Sequence, residues 1–496
     1  MMEGLLKERL GDAKEWFTRK AIIEKFNNLP GYLVLVSVAL FFAFAVSKGG
    51  LLAGVILLSL IVGVPVAFIC LFQLEIGVFI VLIFSFFILT ILRFVDVPLG
   101  LTMDTLIFLM FFGLFIKQTR ERDWSFAKNP ISYVILIWIF YNLIQVLNPG
   151  AASRLAWVYT IRSMAGIMVL FFIALYAFKS MVHVGYFIKI WLGLMFIVAI
   201  YGLFQEIHGL MQFELDWIMQ DELRYNLYYN WGRFRKFSFL NDPTTFGIAM
   251  AYSGIACFAL MAGPFSDIKR ILLGIAGATM LVSMVYSGTR TAYAIVPVGF
   301  MFFTLLTFKR NILIFSGIFF IIGTAIIVSP IKSLGPISSN TLTRIRSTFQ
   351  FEEDPSYNVR AVNQKLIQPY IQTHPLGGGL GSVGVWGQRF SPHSPLSEFK
   401  PDSGYMRVAV EMGWIGLIIN LCVFFTILKV GINNYYRAKD PKIKAILGMI
   451  LTVVYSLMVA NFPQQAISMY PTIVIFYLLI ALLVKCKEFD DALKVG

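Results

Sequence analysis

Apolar runs of roughly 20 residues, the length a helix needs to cross a hydrocarbon core, follow one another along almost the whole chain, separated by short polar breaks. Run length and breaks together predict an all-α polytopic membrane protein of about 14 transmembrane helices (12–14), eleven between residues 31 and 329 and three between 404 and 484. The polar residues at Gln73-Leu74-Glu75 and Gly288-Thr289-Arg290 divide stretches that would otherwise be continuous. Two passages resist a membrane. One is a segment at 207–242; the other, 330–403, is the largest polar piece of the chain and is expected to be a loop domain containing helices. In residues 1–30, Leu6, Leu10, Ala13, Phe17 and Ala21 share one helical face, which fits a helix on the inner membrane surface or one docking in the cytosol. The same stretch is too long and too acidic for a cleavable leader, and a charged tail follows the last apolar run at 485–496.

Composition strengthens the membrane reading: the 496 residues are 58% hydrophobic and 14% charged, with a mean hydropathy of +0.77. A net charge of +14 raises the question of nucleic acid, but the cations sit between apolar runs and build no basic face on a soluble domain. They speak instead for topology. Lys117, Arg120, Arg122 and Lys128 fall in one short loop, Lys269-Arg270 and Lys309-Arg310 in two others, and Arg437, Lys439, Lys442 and Lys444 in a fourth. With both termini inside, all four loops are cytoplasmic, as the positive-inside rule requires, and 207–242 and 330–403 lie outside. Cys70, Cys257 and Cys422 stand within apolar runs and Cys486 at the end of the last, with no disulfide or metal spacing; the four histidines give no zinc spacing either.

Candidate chemistry gathers around the polar passages. Arg290, in Ser287-Gly288-Thr289-Arg290, stands between two apolar runs and calls for an anionic partner or a route by which its head reaches water. Arg360 opens an expected helix that ends before Thr373-His374-Pro375; its planar fork suits phosphate oxygens, and a merely solvated surface arginine is the alternative. The Gly377-Gly378-Gly379-Leu380-Gly381 run lacks the spacing of a phosphate-binding loop and reads as a flexible turn, with His374 a turn or surface residue beside it. Asp402 precedes an apolar run, where it can cap a helix, act as a base, or do both. In 207–242, Arg233, Arg235 and Lys236 lie among Trp217, Tyr225, Tyr228, Tyr229 and Trp231, a composition that suits either sugar rings and phosphates or an interfacial aromatic belt.

Between Phe239 and Gly416 these pieces resemble the O-antigen ligase and polymerase superfamily of bacterial glycan-assembling membrane enzymes. The resemblance is carried by Asn241-Asp242-Pro243, the Ser-Gly-Thr-Arg ending at Arg290, and Arg360 followed by His374-Pro375-Leu376-Gly377 and Gly379-Leu380-Gly381. It closes with Asp402-Ser403-Gly404-Tyr405-Met406 and Val410-Glu411-Met412-Gly413-Trp414-Ile415-Gly416, while the first 240 residues match in hydropathy alone. The resemblance implies a GT-C-like inverting glycosyltransferase in the bacterial inner membrane, acting on its periplasmic face. The donor would be an oligosaccharide on undecaprenyl diphosphate, the acceptor a glycan, and no metal, nucleotide sugar or other cofactor would be needed. Arginines at the positions of Arg290 and Arg360 would hold the donor diphosphate, with Arg233, Arg235, Asn241 and Tyr405 as further binding candidates. Ligases place a histidine where this chain has Asp402, so the resemblance favours a polymerase of O-antigen or exopolysaccharide repeat units over a ligase acting on lipid A core or protein. Asp402 is the expected base and His393 its rival. Membrane lipids are expected partners, a chain-length regulator is a further one, and a lipid-linked glycan flippase is the alternative from another class.

Overall fold

The computed structural model describes residues 28–94, 99–230, 232–328, 346 and 355–493; the amphipathic stretch expected before residue 28 lies outside them. Residues up to Ile69 and residues from Cys70 onward form separate units. The first is made by α1 (Leu29–Phe72), which is interrupted at Gly50, where φ is 64°, and is richly apolar and exposed over its first half.

Among its described residues the larger unit is helical apart from one two-stranded hairpin, in which Tyr229 pairs with Phe234 and Asn230 with Arg233. Its first helices are α2 (Leu74–Ile91), α3 (Leu99–Glu121), α4 (Pro130–Ile144), α5 (Arg154–Met164), α6 (Val169–Ala177) and α7 (Met181–His208). Short α8 (Gln212–Met219) and α9 (Glu222–Tyr228) lead to the hairpin, and α10 (Pro243–Met261), α11 (Asp267–Tyr286), α12 (Arg290–Thr307) and α13 (Arg310–Val328) follow. After the undescribed stretch come α14 (Pro355–Thr373), α15 (Gly384–Phe390), α16 (Gly404–Arg437), α17 (Pro441–Ala460) and α18 (Thr472–Ala492). Among the described residues, eleven helices are long and apolar enough to cross a membrane. The chain is thus an all-α polytopic membrane protein. The breaks at Gln73 and at Ser287–Thr289 both divide helices, whereas Arg154–Ala177 is one span interrupted at Ala165. The last helix starts at Thr472 and runs on through Lys485 and Lys487, into the tail expected at 485–496.

Three helices begin by one local rule. Asn129-Pro130, Asp242-Pro243 and Asp440-Pro441 each place a capping side chain before a proline whose missing N–H is no loss in the first turn. Asp440 Oδ1, for example, accepts from Lys442 N at 2.8 Å and Ile443 N at 2.9 Å. Between them α10 and α17 form the buried centre, α10 packing on α11, α12 and α17.

α16 is not continuous. At Gly413 (φ 70°, ψ −178°) the helix breaks, separating Gly404–Met412 from the rest. Backbone groups freed by a break inside a membrane protein need partners, because lipid offers none. Here the glycine run supplies them. Gly378 N donates to Val410 O at 2.9 Å, Ile415 N donates to Pro375 O at 3.4 Å, and Tyr141 Oη donates to Met412 O at 2.9 Å. Asn148 Nδ2 in turn donates to Leu376 O at 2.8 Å and Gly377 O at 3.2 Å. Gly377, Gly379 and Gly381 all have positive φ and are buried against neighbouring backbone: a Cβ on Gly379 would lie 2.6 Å from Ala151 Cβ, and one on Gly381 2.5 Å from Thr160 Oγ1. The run is a turn, as expected, but a tightly packed clasp rather than a loose one.

A Cβ on Gly413 would fall on the Pro375 carbonyl oxygen, in a backbone conformation that side chains rarely adopt. Gly413→Ala is therefore expected to destabilise detergent-solubilised protein by about 1–3 kcal/mol. Gly193→Ala, a change in α7 with nothing within 4 Å, should leave the thermal midpoint unchanged or raise it. Tryptophan-fluorescence melts of the two variants check the pair.

Candidate functional site

Helix N-termini converge around a polar cavity. α10 starts at the Asp242 cap, where Asp242 Oδ1 accepts from Thr244 N (2.8 Å) and Thr245 N (3.0 Å). Its Oδ2 accepts from Thr245 Oγ1 (2.7 Å) and Asn241 Nδ2 (3.1 Å). The N-terminus of α12 is held close by, since Thr289 Oγ1 donates to Pro243 O at 2.9 Å. α16 starts at Ser403, whose Oγ accepts from Met406 N at 3.3 Å. Ser403, not Asp402, is therefore the cap. Asp402 stands exposed one residue ahead of the cap and lines a cavity of about 310 Å³. Asn241, Asp242, Thr244 and Thr245 form one side of it; Pro401 and Asp402, Gln464 and Gln465, and Thr472 at the head of α18 complete it. Carboxamides, hydroxyls and two carboxylates share the lining with Leu227, Ile248, Ala466 and Met469, so a ligand there would meet polar groups beside an apolar surface.

Beside this cavity, burial and hydrogen bonding fix the basic segment after the hairpin. Every nitrogen of the Arg235 guanidinium donates to the protein: Nε to Ser287 O at 2.8 Å, one Nη to Leu227 O at 3.2 Å, the other to Thr289 Oγ1 at 3.1 Å. Burial pulls its pKa down, Asp242, Tyr293 and Tyr228 oppose that, and Arg290 adds to it by like-charge repulsion. Two arginines thus share one poorly solvated neighbourhood. Arg290 is the first residue of α12 and is half-buried. Arg233 Nη2 lies 2.7 Å from Glu206 Oε2 and Lys236 Nζ lies 3.5 Å from the same oxygen, so both are partnered on the α7 side. The aromatic residues of 207–242 largely build that segment's own core, with Ile218, Tyr228 and Phe237 buried and both Arg93 and Arg224 packed on the Trp217 ring.

Of the residues singled out from sequence, Asp402 and Asn241 come together in the cavity wall. Arg235 and Arg290 are joined through the turn at Ser287–Thr289. Tyr405 points away from it, its Oη donating to Met458 O at 2.8 Å. His393 lies on an exposed turn and is not among the cavity-lining residues, and His374 is exposed, stacked at 3.9 Å on Tyr370. Arg360 is in the first turns of α14, with its side chain outside the described residues. Sequence reasoning passed over Gln464 and Gln465. Their signal was faint: two uncharged amides in the short break between the apolar runs of α17 and α18, on the same side of the membrane as Asp402 by helix count.

Residues 275–421 match the family described as O-antigen ligase. This stretch supports the resemblance to the O-antigen ligase and polymerase superfamily. No curated protein matches the chain. The ligase-type domain contains Arg290, Arg360, His393 and Asp402, whereas the opposite cavity wall, from Asn241 to Ile248 and from Gln464 to Thr472, lies outside it. The cavity is therefore completed by parts of the chain beyond the matched domain.

Because Arg235 ties three backbone and side-chain oxygens while itself buried, Arg235→Ala should lower stability by about 2–4 kcal/mol. Its thermal midpoint should fall well below that of Arg233→Ala, whose partner Glu206 keeps Lys236 beside it.

Proposed function

We propose that the protein is an inverting glycosyltransferase that polymerises oligosaccharide repeat units carried on undecaprenyl diphosphate, working on the periplasmic face of the inner membrane. The observation that carries this reading is the shared cavity of Asp402, Asn241 and Asp242, beside a neighbourhood that holds Arg235 and Arg290. In the reaction an acceptor hydroxyl oxygen bonds to the anomeric carbon as the bond from that carbon to the diphosphate oxygen breaks. The diphosphate leaves with the bonding electron pair and gains negative charge, which preorganised arginines in a poorly hydrated site stabilise strongly. The hydroxyl proton goes to a carboxylate.

Two carboxylates line the cavity. Both oxygens of Asp242 accept hydrogen bonds within their own helix start, which makes it a cap rather than a base. Asp402, which lines the cavity one residue ahead of the Ser403 cap, is the better base by its place in the pattern. His393 on its exposed turn is the weaker rival. Arg290 is proposed to meet the diphosphate with Arg360, while Arg235 fixes the turn that presents Arg290. Asn241 in the wall suits a sugar hydroxyl. Ligase activity onto lipid A core or protein is the second reading, favoured by the description of the family that residues 275–421 match.

Purified protein given a short undecaprenyl-diphosphate oligosaccharide from the source organism is expected to yield a ladder of longer lipid-linked products, unaffected by a chelator. Arg290→Ala and Arg360→Ala should abolish the ladder, and Asp402→Asn should slow it about 10²–10⁴-fold. Full activity in both arginine variants rejects the diphosphate site; loss in His393→Ala but not in Asp402→Asn moves the base. A single addition to lipid A core or protein, with no ladder, replaces the polymerase by the ligase.

A further inference from the structure

Asp402 sits between two residues that the same loop holds. On one side, Gln465 Nε2 donates to Pro401 O at 2.6 Å; on the other, Gly404 N donates to Asn461 O at 3.0 Å. Gly404 has no room for a side chain, since a Cβ there would lie 2.5 Å from Asn461 Nδ2. The loop between α17 and α18 therefore grips the backbone immediately before and two residues after the carboxylate.

Gln465 is itself held. Its Oε1 accepts from Arg407 Nη1 at 3.1 Å, and Arg407 Nε donates to Glu411 Oε1 at 3.2 Å. Glu411 is wholly buried one helical turn below Arg407, and the backbone N–H of Gly381, from the glycine clasp, also acts on its carboxylate. A buried ion pair is costly to desolvate and is weak evidence of stabilisation by itself. What this one does is orient a planar guanidinium so that a second N–H faces Gln465. An amide gripped at its oxygen cannot rotate freely, so its nitrogen stays on Pro401 O.

We infer that Gln465 is a positioning residue for Asp402, with Arg407 and Glu411 as the support that fixes it. The inference rests on Asp402 being the base. Glu411 anchors Arg407, Arg407 sets the Gln465 amide, and that amide holds the peptide from which the carboxylate projects into the cavity. General-base catalysis is sensitive to such placement, because a shift of about 1 Å between base and hydroxyl can lower the rate on the order of a hundredfold.

The test is a double-mutant cycle on full-length protein in detergent, with the short undecaprenyl-diphosphate oligosaccharide as probe and initial rates measured over a range of its concentration. Gln465→Ala is expected to lower kcat about 10–100-fold with KM little changed. Gln465→Glu, which keeps an oxygen for Arg407 and loses the donor to Pro401, should show the same fall in protein whose folding is preserved. In an Asp402→Asn background, Gln465→Ala should cost no more than about twofold, because the group it positions is gone. Losses that multiply, a wild-type rate in Gln465→Ala, or a rise in KM in place of the fall in kcat each overturn the positioning role. A wild-type rate in Asp402→Asn alone rejects the base, and the positioning role with it. An inactive Asp402→Asn beside a fully active Gln465→Ala rejects the positioning role only.

Discussion

The arrangement depends on a helix that is broken where lipid offers its backbone no partner. The interruption of α16 at Gly413 would leave bare carbonyls and amides, and the glycine clasp together with Tyr141 accepts and donates in their place. Asn148 then ties the clasp to the connection between α4 and α5. The break shortens the first part of α16 to Gly404–Met412, so its N-terminus, its cap and the residue ahead of the cap are set by the clasp and by the α17–α18 loop. Without the break, the direction of that first segment would be dictated by the long span that follows it.

Charge is handled in a second layer. Arg235 and Arg290 repel one another in a neighbourhood where water is scarce, which is unfavourable unless oxygens surround them. Arg235 is engaged by main-chain and threonine oxygens, and Arg290 is half-buried at the start of a helix, where the peptide dipoles add further positive potential.

Much of this was legible in the residues. Asn241-Asp242-Pro243 stood out as a motif at a helix start, and apolar length located spans, because both signals are local. The glycine run was legible as a turn but not as a clasp: what makes Gly377, Gly379 and Gly381 necessary is backbone brought from Ala151, Ala156 and Glu411, far away in the chain. Gly413 gave no sign, since it stands in an apolar stretch where glycine is ordinary and only tertiary hydrogen bonds make the break affordable. Asp402 and Ser403 are both residues of the capping type, and a one-residue difference in where the helix starts put Ser403 in the cap and Asp402 ahead of it. The amides of Gln464 and Gln465 carry no charge and so raised no signal of their own.

The cavity wall has a further consequence for how the protein comes into being. Its three parts, 241–248, 401–402 and 464–472, are separated by long stretches of chain that include several membrane spans. The cavity therefore lacks one wall until the α17–α18 loop has been made and placed, and any ligand that needs all three parts must wait for the last two helices.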